Sequence, residues 1–122
     1  MIPKSARTPV LNSLIMVRDE HVRNYPEIDG HGTVWSTTSC VAVSCLPDCD
    51  GETDIVVGPA EKVRQEENLV FDSQLETPSG CIVVETVLKE KILQVPVPSS
   101  RTRVRIWTNG VRDTHRVIVG LS

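Results

Sequence analysis

The chain has 122 residues, which is enough for one hydrophobic core and too few for two ordinary ones. Hydrophobic residues make up 39% and charged residues 24%, a balance that excludes a disordered chain and, with no long apolar run, a membrane span. The formal net charge of −3 argues against non-specific binding of nucleic acid. Aromatic residues are only 3%, so aliphatic side chains must fill the core, which suits two thin packed sheets.

The chain begins with a segment that we predict to be an arm. Residues 1–9 carry Pro3 and Pro9 near basic side chains, which is typical of a chain end that docks late or frays. Residues 10–18 are the first predicted strand. Asn12 and Ser13 interrupt its apolar run and charged residues follow it, so the segment does not fit an export signal. We therefore predict a cytoplasmic protein with no membrane association.

Residues 40–57 are predicted to form a hairpin. Residues 40–46 have the composition of a strand, residues 47–52 are turn formers, and residues 53–57 return as a second strand. Gly58 and Pro59 end that strand. The next eight residues, 60–67, are the only stretch with a helical composition, and we expect at most one short helical turn there.

The C-terminal half is a succession of short strands. Apolar and β-branched runs fall within residues 69–75, 82–88, 92–95, 101–107 and 115–121. Pro96 and Pro98 mark a sheet edge or a crossing between sheets. The sequence thus predicts an all-β fold, an antiparallel β-sandwich of about seven or eight short strands, with residues 10–122 as a single domain.

Acidic side chains are concentrated in the middle of the chain. Six carboxylates are candidates for a partner-binding surface: Asp48, Asp50, Glu52, Asp54, Glu66 and Glu67. The first four alternate around Gly51, a spacing that is similar to the oxygen ligands of a calcium loop. Pro59 stands where the closing glutamate of such a loop would be, so an acidic turn is the better interpretation. Small inhibitors of nucleases and other cationic enzymes present acidic surfaces of this kind.

A row of arginines is predicted near the C-terminus. Strand alternation places four side chains on one face, Arg101, Arg103, Arg105 and Trp107. Five arginines less Asp113 give residues 101–122 a formal charge of +4, and residues 1–100 carry the remaining −7. Such a row suits an anionic partner, namely phosphate, nucleic acid or an acidic protein. We favour a solvated strand face whose arginines pair with Glu85 or Glu90 and oppose edge pairing.

The cysteines do not indicate a metal site. The chain has four of them, Cys40, Cys45, Cys49 and Cys81. Without an export signal, reduced thiols are favoured over disulfides, and the spacing lacks the close cysteine pair of most structural zinc sites. Strand alternation puts Cys45 on the face of Val41 and Val43, opposite Cys40, which favours buried thiols. His31 lies in a glycine-containing loop, where a dyad with one of the thiols stays open.

The layout of strands and turns supports one family resemblance. Residues 40–43 run into Asp50-Gly51-Glu52-Thr53, residues 75–80 precede a valine-rich strand, and Val95-Pro96 is followed by residues 101–105. This layout, over roughly the C-terminal two thirds of the chain, resembles the small bacterial competence protein J family. The resemblance implies a β-sandwich that inhibits a DNA-entry nuclease through protein–protein contact.

The sequence contains no catalytic signature such as a nucleophile elbow or a phosphate loop, so we predict a non-enzymatic protein without a cofactor. The predicted function is binding of a cationic protein, as an inhibitor or immunity-like partner of a nuclease or toxin. One alternative is a structural module that forms a homo-oligomer through edge strands or the arginine row. Another is an enzyme that uses a ligand or metal near His31 and the thiols.

Overall fold

The computed structural model describes residues 2–66, 68–110 and 114–122, and it has two five-stranded sheets that enclose one core. The strands are β1 (Lys4–Thr8), β2 (Leu14–Asp19), β3 (Val34–Ser36), β4 (Cys40–Ser44), β5 (Thr53–Pro59), β6 (Asn68–Glu76), β7 (Cys81–Thr86), β8 (Lys91–Pro96), β9 (Arg101–Thr108) and β10 (Arg116–Leu121). The first sheet has the order β1-β5-β10-β9-β6 and the second β3-β4-β2-β7-β8. Neighbouring strands are antiparallel except β5 and β10, which run parallel. The predicted all-β sandwich is confirmed.

The described residues contain ten strands, more than the sequence predicted. The additional strands are β1, which lies between Pro3 and Pro9, and β3, which has only three residues. Both are edge strands that pair on one side only, and such strands lack the long apolar alternation by which a central strand is recognised. That residues 1–9 are an arm separable from a domain of residues 10–122 stays a prediction.

The predicted hairpin of residues 40–57 is wrong. β4 lies in the second sheet and β5 in the first, so residues 45–52 cross from one sheet to the other. We call this segment the acidic crossover. β4 pairs with β2 and β3, and β5 pairs with β1 and β10. Because β4 and β5 both bury an apolar face, they fill the core best from opposite sides. The turn residues alone do not distinguish this arrangement from a hairpin.

The core between the sheets is aliphatic, as the composition predicts. Its buried side chains are Val10, Ile15, Val17, Val41, Val43, Cys45, Ile55, Val57, Leu75, Ile82, Val84, Val95, Val97, Val104, Ile106, Val117, Val119 and Leu121. They follow the two-residue period of the strands, so that alternate residues of each strand point inward. Cys45 is one of these core residues, as strand alternation predicts. Cys40 is also buried, but on the opposite, outer face of β4.

A short segment covers the outer face of the first sheet. Residues 60–66, which we call the strap, connect β5 to β6. Val63 of the strap packs with Trp107 and Ile118 in a small buried cluster separate from the main core. The Trp107 ring lies so close to Gly120 that a Cβ there would be 2.8 Å from its Cζ3 atom. Glycine at this position therefore allows the indole to approach the backbone of β10 closely.

Among the described residues, helical structure is confined to single turns. The strap begins with a hydrogen-bonded turn, in which the Val63 amide donates to the Pro59 carbonyl at 3.2 Å. Short 3-10 turns occur at Leu11–Ser13 and Asp48–Asp50. In the described ranges there is no helix with the length and apolarity needed to cross a membrane.

Candidate functional site

The acidic crossover is held in place by backbone hydrogen bonds at both ends. The Cys45 amide donates to the Ser13 carbonyl at 2.9 Å, and the Leu46 amide donates to the Thr114 carbonyl at 2.8 Å. At the other end, the Asp54 amide donates to the His115 carbonyl at 2.8 Å. These bonds tie the two ends of the segment to its neighbours in both halves of the sandwich.

Three of the predicted acidic residues lie on this crossover. Asp48 and Asp50 are on its 3-10 turn, and Glu52 follows just before β5. All three side chains are exposed, and none forms an ion pair within residues 2–66, 68–110 and 114–122. The structure therefore presents three carboxylates that are free to pair with cations of another molecule.

Asp54 and Glu66 are in a different environment, on the outer face of the first sheet. Arg7 Nε donates to Asp54 Oδ1 at 2.7 Å, and Arg116 Nη1 donates to Glu66 Oε1 at 3.0 Å. Arg116 Nη2 also lies 4.0 Å from Asp54 Oδ2, so Arg116 links the two carboxylates. The hydrogen bond that Arg7 donates to Asp54 raises the pKa of Arg7 above its usual value. Internal arginines thus compensate Asp54 and Glu66, while Glu67 lies outside the described residues.

The arginine row has the predicted alternation, but its partners differ from the prediction. Arg103 forms a bidentate salt bridge with Asp72 on β6, in which Nε donates to Oδ1 at 2.9 Å and Nη2 donates to Oδ2 at 2.8 Å. This contact holds the pKa of Asp72 below its usual range. The guanidinium of Arg105 lies over the Trp107 ring, 5.6 Å from its centroid. The pairing of this row with Glu85 is wrong, because Glu85 faces outward from the second sheet.

Trp107, the fourth residue of the row, is not available as a contact surface. Its side chain is buried under the strap and leaves 5% of the residue exposed. Arg101 is the exposed arginine of the row that forms no ion pair within the described part of the chain. The structure therefore divides a row that looks uniform in the sequence into a paired, a stacked and a free arginine.

The histidine and cysteine residues do not converge. Among the described residues no group of three histidine, cysteine, aspartate or glutamate side chains is placed to hold a metal ion. His31 is exposed on its loop, while Cys40 is buried on the outer face of β4 and Cys45, directly after that strand, is buried in the core. Cys49 is exposed and Cys81 half-buried, and all four thiols are free.

The two buried thiols make the free energy of unfolding depend on pH in the alkaline range. Burial raises the pKa of Cys40 to about 12 and that of Cys45 to about 11, both above the ordinary value near 9. The folded state therefore favours the protonated thiols, and this contribution is complete below pH 9 and is lost as pH rises toward 11–12. We expect the free energy of unfolding from urea titrations to fall over this interval. The decrease in unfolding free energy should be smaller in Cys45→Ala than in the wild type and unchanged in Cys49→Ser. The same dependence on pH in the wild type and both variants would show that the Cys45 thiol does not contribute to it.

No sequence pattern identifies the groups that anchor the crossover. Ser13, Thr114 and His115 contribute backbone carbonyls, which any residue supplies, and they are distant from residues 45–54 along the chain. Arg7 was part of the predicted arm, and its contact with Asp54 depends on the pairing of β1 with β5. Only the sheet order brings these groups together.

Comparison with known proteins gives a likeness in fold. No family model matches the chain, and no curated protein matches it. One similar structure is the crystal structure of ComJ from Bacillus subtilis, an inhibitor of the DNA degrading activity of NucA. The two align with a TM-score of 0.70 at 12% sequence identity, over 97% of this chain and 93% of the ComJ chain. The structure titled "Crocagin biosynthetic gene J" has a TM-score of 0.55 at 15% identity over 99% of this chain and 97% of that chain. The chain therefore has the same sandwich fold as ComJ over nearly its whole length, and the predicted resemblance is confirmed for the fold.

Proposed function

We propose that the chain is a non-enzymatic inhibitor of a DNA-degrading enzyme and binds that enzyme's cationic surface through Asp48, Asp50 and Glu52. The observation that carries the proposal is the acidic crossover, with three exposed carboxylates that form no ion pair within the described residues. The likeness in fold to an inhibitor of a DNA-degrading activity supports the same class of partner.

The chemistry of such a partner suits these carboxylates. An enzyme that binds DNA places lysine and arginine side chains where the phosphates lie, so its binding cleft is cationic. Neighbouring exposed carboxylates present the same sign of charge as the phosphates and compete for the same side chains. Because the crossover is anchored at both ends, little conformational entropy is lost on binding.

A homo-oligomeric module is the less favoured alternative. Its longest edge strand would be β6, which is interrupted by a bulge between Leu69 and Phe71 and carries charged Asp72 and Glu76. Bulges and charged side chains on an edge strand oppose pairing with another strand. The edge is thus poorly suited to join two copies, which favours a partner of another kind.

We expect charge reversal of the crossover to slow association with the partner. In the variant Asp48→Lys/Asp50→Lys/Glu52→Lys, the association rate at low ionic strength should fall by about tenfold or more, because electrostatic steering is reversed. At high salt the difference should shrink, since screening weakens long-range attraction. The measurement is stopped-flow binding to the nuclease recovered from the native host on the immobilised wild-type chain.

A control variant separates position from net charge. Glu27→Lys/Glu61→Lys/Glu76→Lys makes the same change in charge at three exposed carboxylates outside the crossover. This control should associate nearly as fast as the wild type. Equal slowing in both variants would show that only net charge matters, and equal rates in all three proteins would exclude the crossover from the interface.

A further inference from the structure

The N-terminal strand contributes little to the core of the sandwich. β1 lies at the edge of the first sheet and pairs with β5 alone. Each of its five side chains is exposed or half-buried. Val10, which follows the strand, is the one fully buried side chain in residues 2–10. We call residues 2–10 the N-terminal segment. Because the segment buries little apolar surface, it can leave its sheet at a lower cost than a central strand.

Specific contacts define where the N-terminal segment docks. Arg7 Nε donates to Asp54 Oδ1 at 2.7 Å, and Arg7 Nη2 donates to Asp54 Oδ2 at 3.3 Å. Pro3 lies so close to Gly58 that a Cβ on this glycine would be 2.9 Å from the Pro3 Cα atom. The backbones of β1 and β5 form an antiparallel ladder between these two contacts. The edge of β5 is therefore a complementary site for this particular strand.

The turn that follows the N-terminal segment is strained. In the 3-10 turn Leu11–Ser13, Asn12 and Ser13 have φ angles of 59° and 57°, in the left-handed region that disfavours residues other than glycine. The residues on either side, Val10 and Leu14, are extended. The hydrogen bond that closes the turn is long, with the Ser13 amide 3.3 Å from the Val10 carbonyl. Straightening this turn would relieve the strain and join β1 and β2 in one extended run.

We propose that two copies of this chain exchange their N-terminal segments, so that β1 of each copy pairs with β5 of the other. Opening of the turn Leu11–Ser13 lets the segment leave its own sheet. The strand ladder, the ion pair of Arg7 with Asp54 and the close approach of Pro3 to Gly58 are then remade between the copies. Since these contacts are the same in both forms, the strain released in two turns per dimer offsets part of the entropy lost on association.

The structure itself shows which strand fits the edge of β5. A second copy supplies β1 with the same sequence, whereas a foreign strand would have to replace both the ion pair with Asp54 and the proline against Gly58. The exchange also differs from pairing through the edge of β6, which a bulge and charged side chains oppose. It does not rest on the proposed inhibitor function, because the contacts that are exchanged belong to β1 and β5.

Size-exclusion chromatography with light scattering detects the exchanged dimer. The full chain is refolded from urea at micromolar and at millimolar concentration, in physiological salt to screen the repulsion between two copies of net charge −3. We expect a dimer whose share rises with the protein concentration during refolding. It should dissociate slowly after dilution, because both segments must undock before the copies separate. A chain that remains monomeric after refolding at millimolar concentration overturns the proposal.

An introduced pair of thiols shows which copy β1 pairs with. Ser5 lies opposite Val56 in the ladder, so Ser5→Cys/Val56→Cys places two thiols on adjacent strands. The background is Cys49→Ser, which removes the exposed native thiol. After oxidation, non-reducing electrophoresis should show two linked chains in the dimer fraction and an internal disulfide in the monomer fraction. The Cys49→Ser parent should show no linkage. A dimer fraction whose disulfide lies within one chain overturns the exchange.

Glycine substitutions test the contribution of the strained turn. Asn12→Gly/Ser13→Gly relieves the strain in the monomer, so the dissociation constant of the dimer should rise about tenfold or more. Lys89→Gly is the matched control, because Lys89 also has a positive φ, 63°, but lies between β7 and β8. This control should dimerise as the wild type does. An unchanged dissociation constant in Asn12→Gly/Ser13→Gly would contradict release of strain as a driving force of the exchange.

Discussion

Replacing Arg18 with alanine is expected to lower the free energy of unfolding by about 3–5 kcal/mol, because it leaves the buried carboxylate of Glu85 without its cation. Arg18 Nε lies 2.6 Å from Glu85 Oε1, and Arg18 Nη2 donates to Glu85 Oε2 at 3.2 Å. The side chains are 4% and 1% exposed, respectively, so water cannot replace the lost partner. This pair lies on the outer face of the second sheet, on the adjacent strands β2 and β7.

The surroundings of this pair increase the expected cost. Arg18 Nη1 also donates to the carbonyls of Asp19 and Glu20 at 2.7 and 2.8 Å, so the guanidinium fixes the start of the loop that follows β2. The Tyr25 hydroxyl donates to Glu85 Oε1 at 3.1 Å, and Lys89 Nζ lies 4.2 Å from the centroid of the tyrosine ring. Without Arg18, the tyrosine hydroxyl is the one hydrogen-bond partner of the carboxylate that remains among the described residues, and the loop loses an anchor.

A double variant distinguishes a buried charge from a general loss of packing. Arg18→Met/Glu85→Leu removes both charges and keeps most of the volume, so it should recover the part of the loss in Arg18→Ala that comes from the unpaired carboxylate, but not the bonds to the carbonyls of Asp19 and Glu20. Urea unfolding followed by circular dichroism measures all three proteins. A loss below about 1 kcal/mol in Arg18→Ala, the range of a surface pair, would mean that water reaches the pair in solution.

Truncation of Trp107 to alanine is expected to cost about 3–5 kcal/mol, the range for removing a buried aromatic side chain. The indole is 5% exposed and packs between Gly120 on β10 and Val63 of the strap. Its loss leaves a cavity that Gly120 cannot fill, because glycine has no side chain. It also removes the contact that packs Val63 of the strap against the sheet. We therefore also expect faster proteolysis within residues 60–66 than in the wild type.

The other tryptophan is the matched control. Trp35 is half-buried on the edge strand β3, and its Nε1 donates to Asp29 Oδ1 at 3.0 Å. Trp35→Ala should cost about 1 kcal/mol, since much of the ring already contacts water. Equal losses of unfolding free energy in the two variants would contradict the buried position of Trp107 beneath the strap. So would a strap that is cleaved no faster in Trp107→Ala than in the wild type.

Strand alternation was the part of the fold that the sequence predicted best. It placed Cys45 in the core, and it set Arg101, Arg103 and Arg105 on the face opposite Val104 and Ile106, as observed. This success has a simple cause, because the side-chain period of a strand is local and depends only on neighbouring residues. The parallel pairing of β5 with β10 was not predictable in this way, since it joins distant residues.

The candidate site shows the same limit. The sequence presents one acidic group, Asp48, Asp50, Glu52, Asp54 and Glu66. In the structure Asp54 and Glu66 form ion pairs with Arg7 and Arg116, whereas the first three carboxylates form none within the described residues. Arg7 reaches Asp54 only because β1 pairs with β5, and Arg116 reaches Glu66 only because the strap leads back over β10. Which carboxylates are free therefore depends on long-range pairing that composition and spacing do not encode.

The most direct test of the inhibitor function is a DNA-degradation assay. The nuclease recovered from the native host on the wild-type chain is incubated with plasmid DNA and increasing amounts of the chain, at low ionic strength. The account predicts that the wild type stops degradation as it saturates the nuclease, whereas Asp48→Lys/Asp50→Lys/Glu52→Lys requires about tenfold more protein or more. Degradation that continues unchanged at saturating wild-type chain would contradict it.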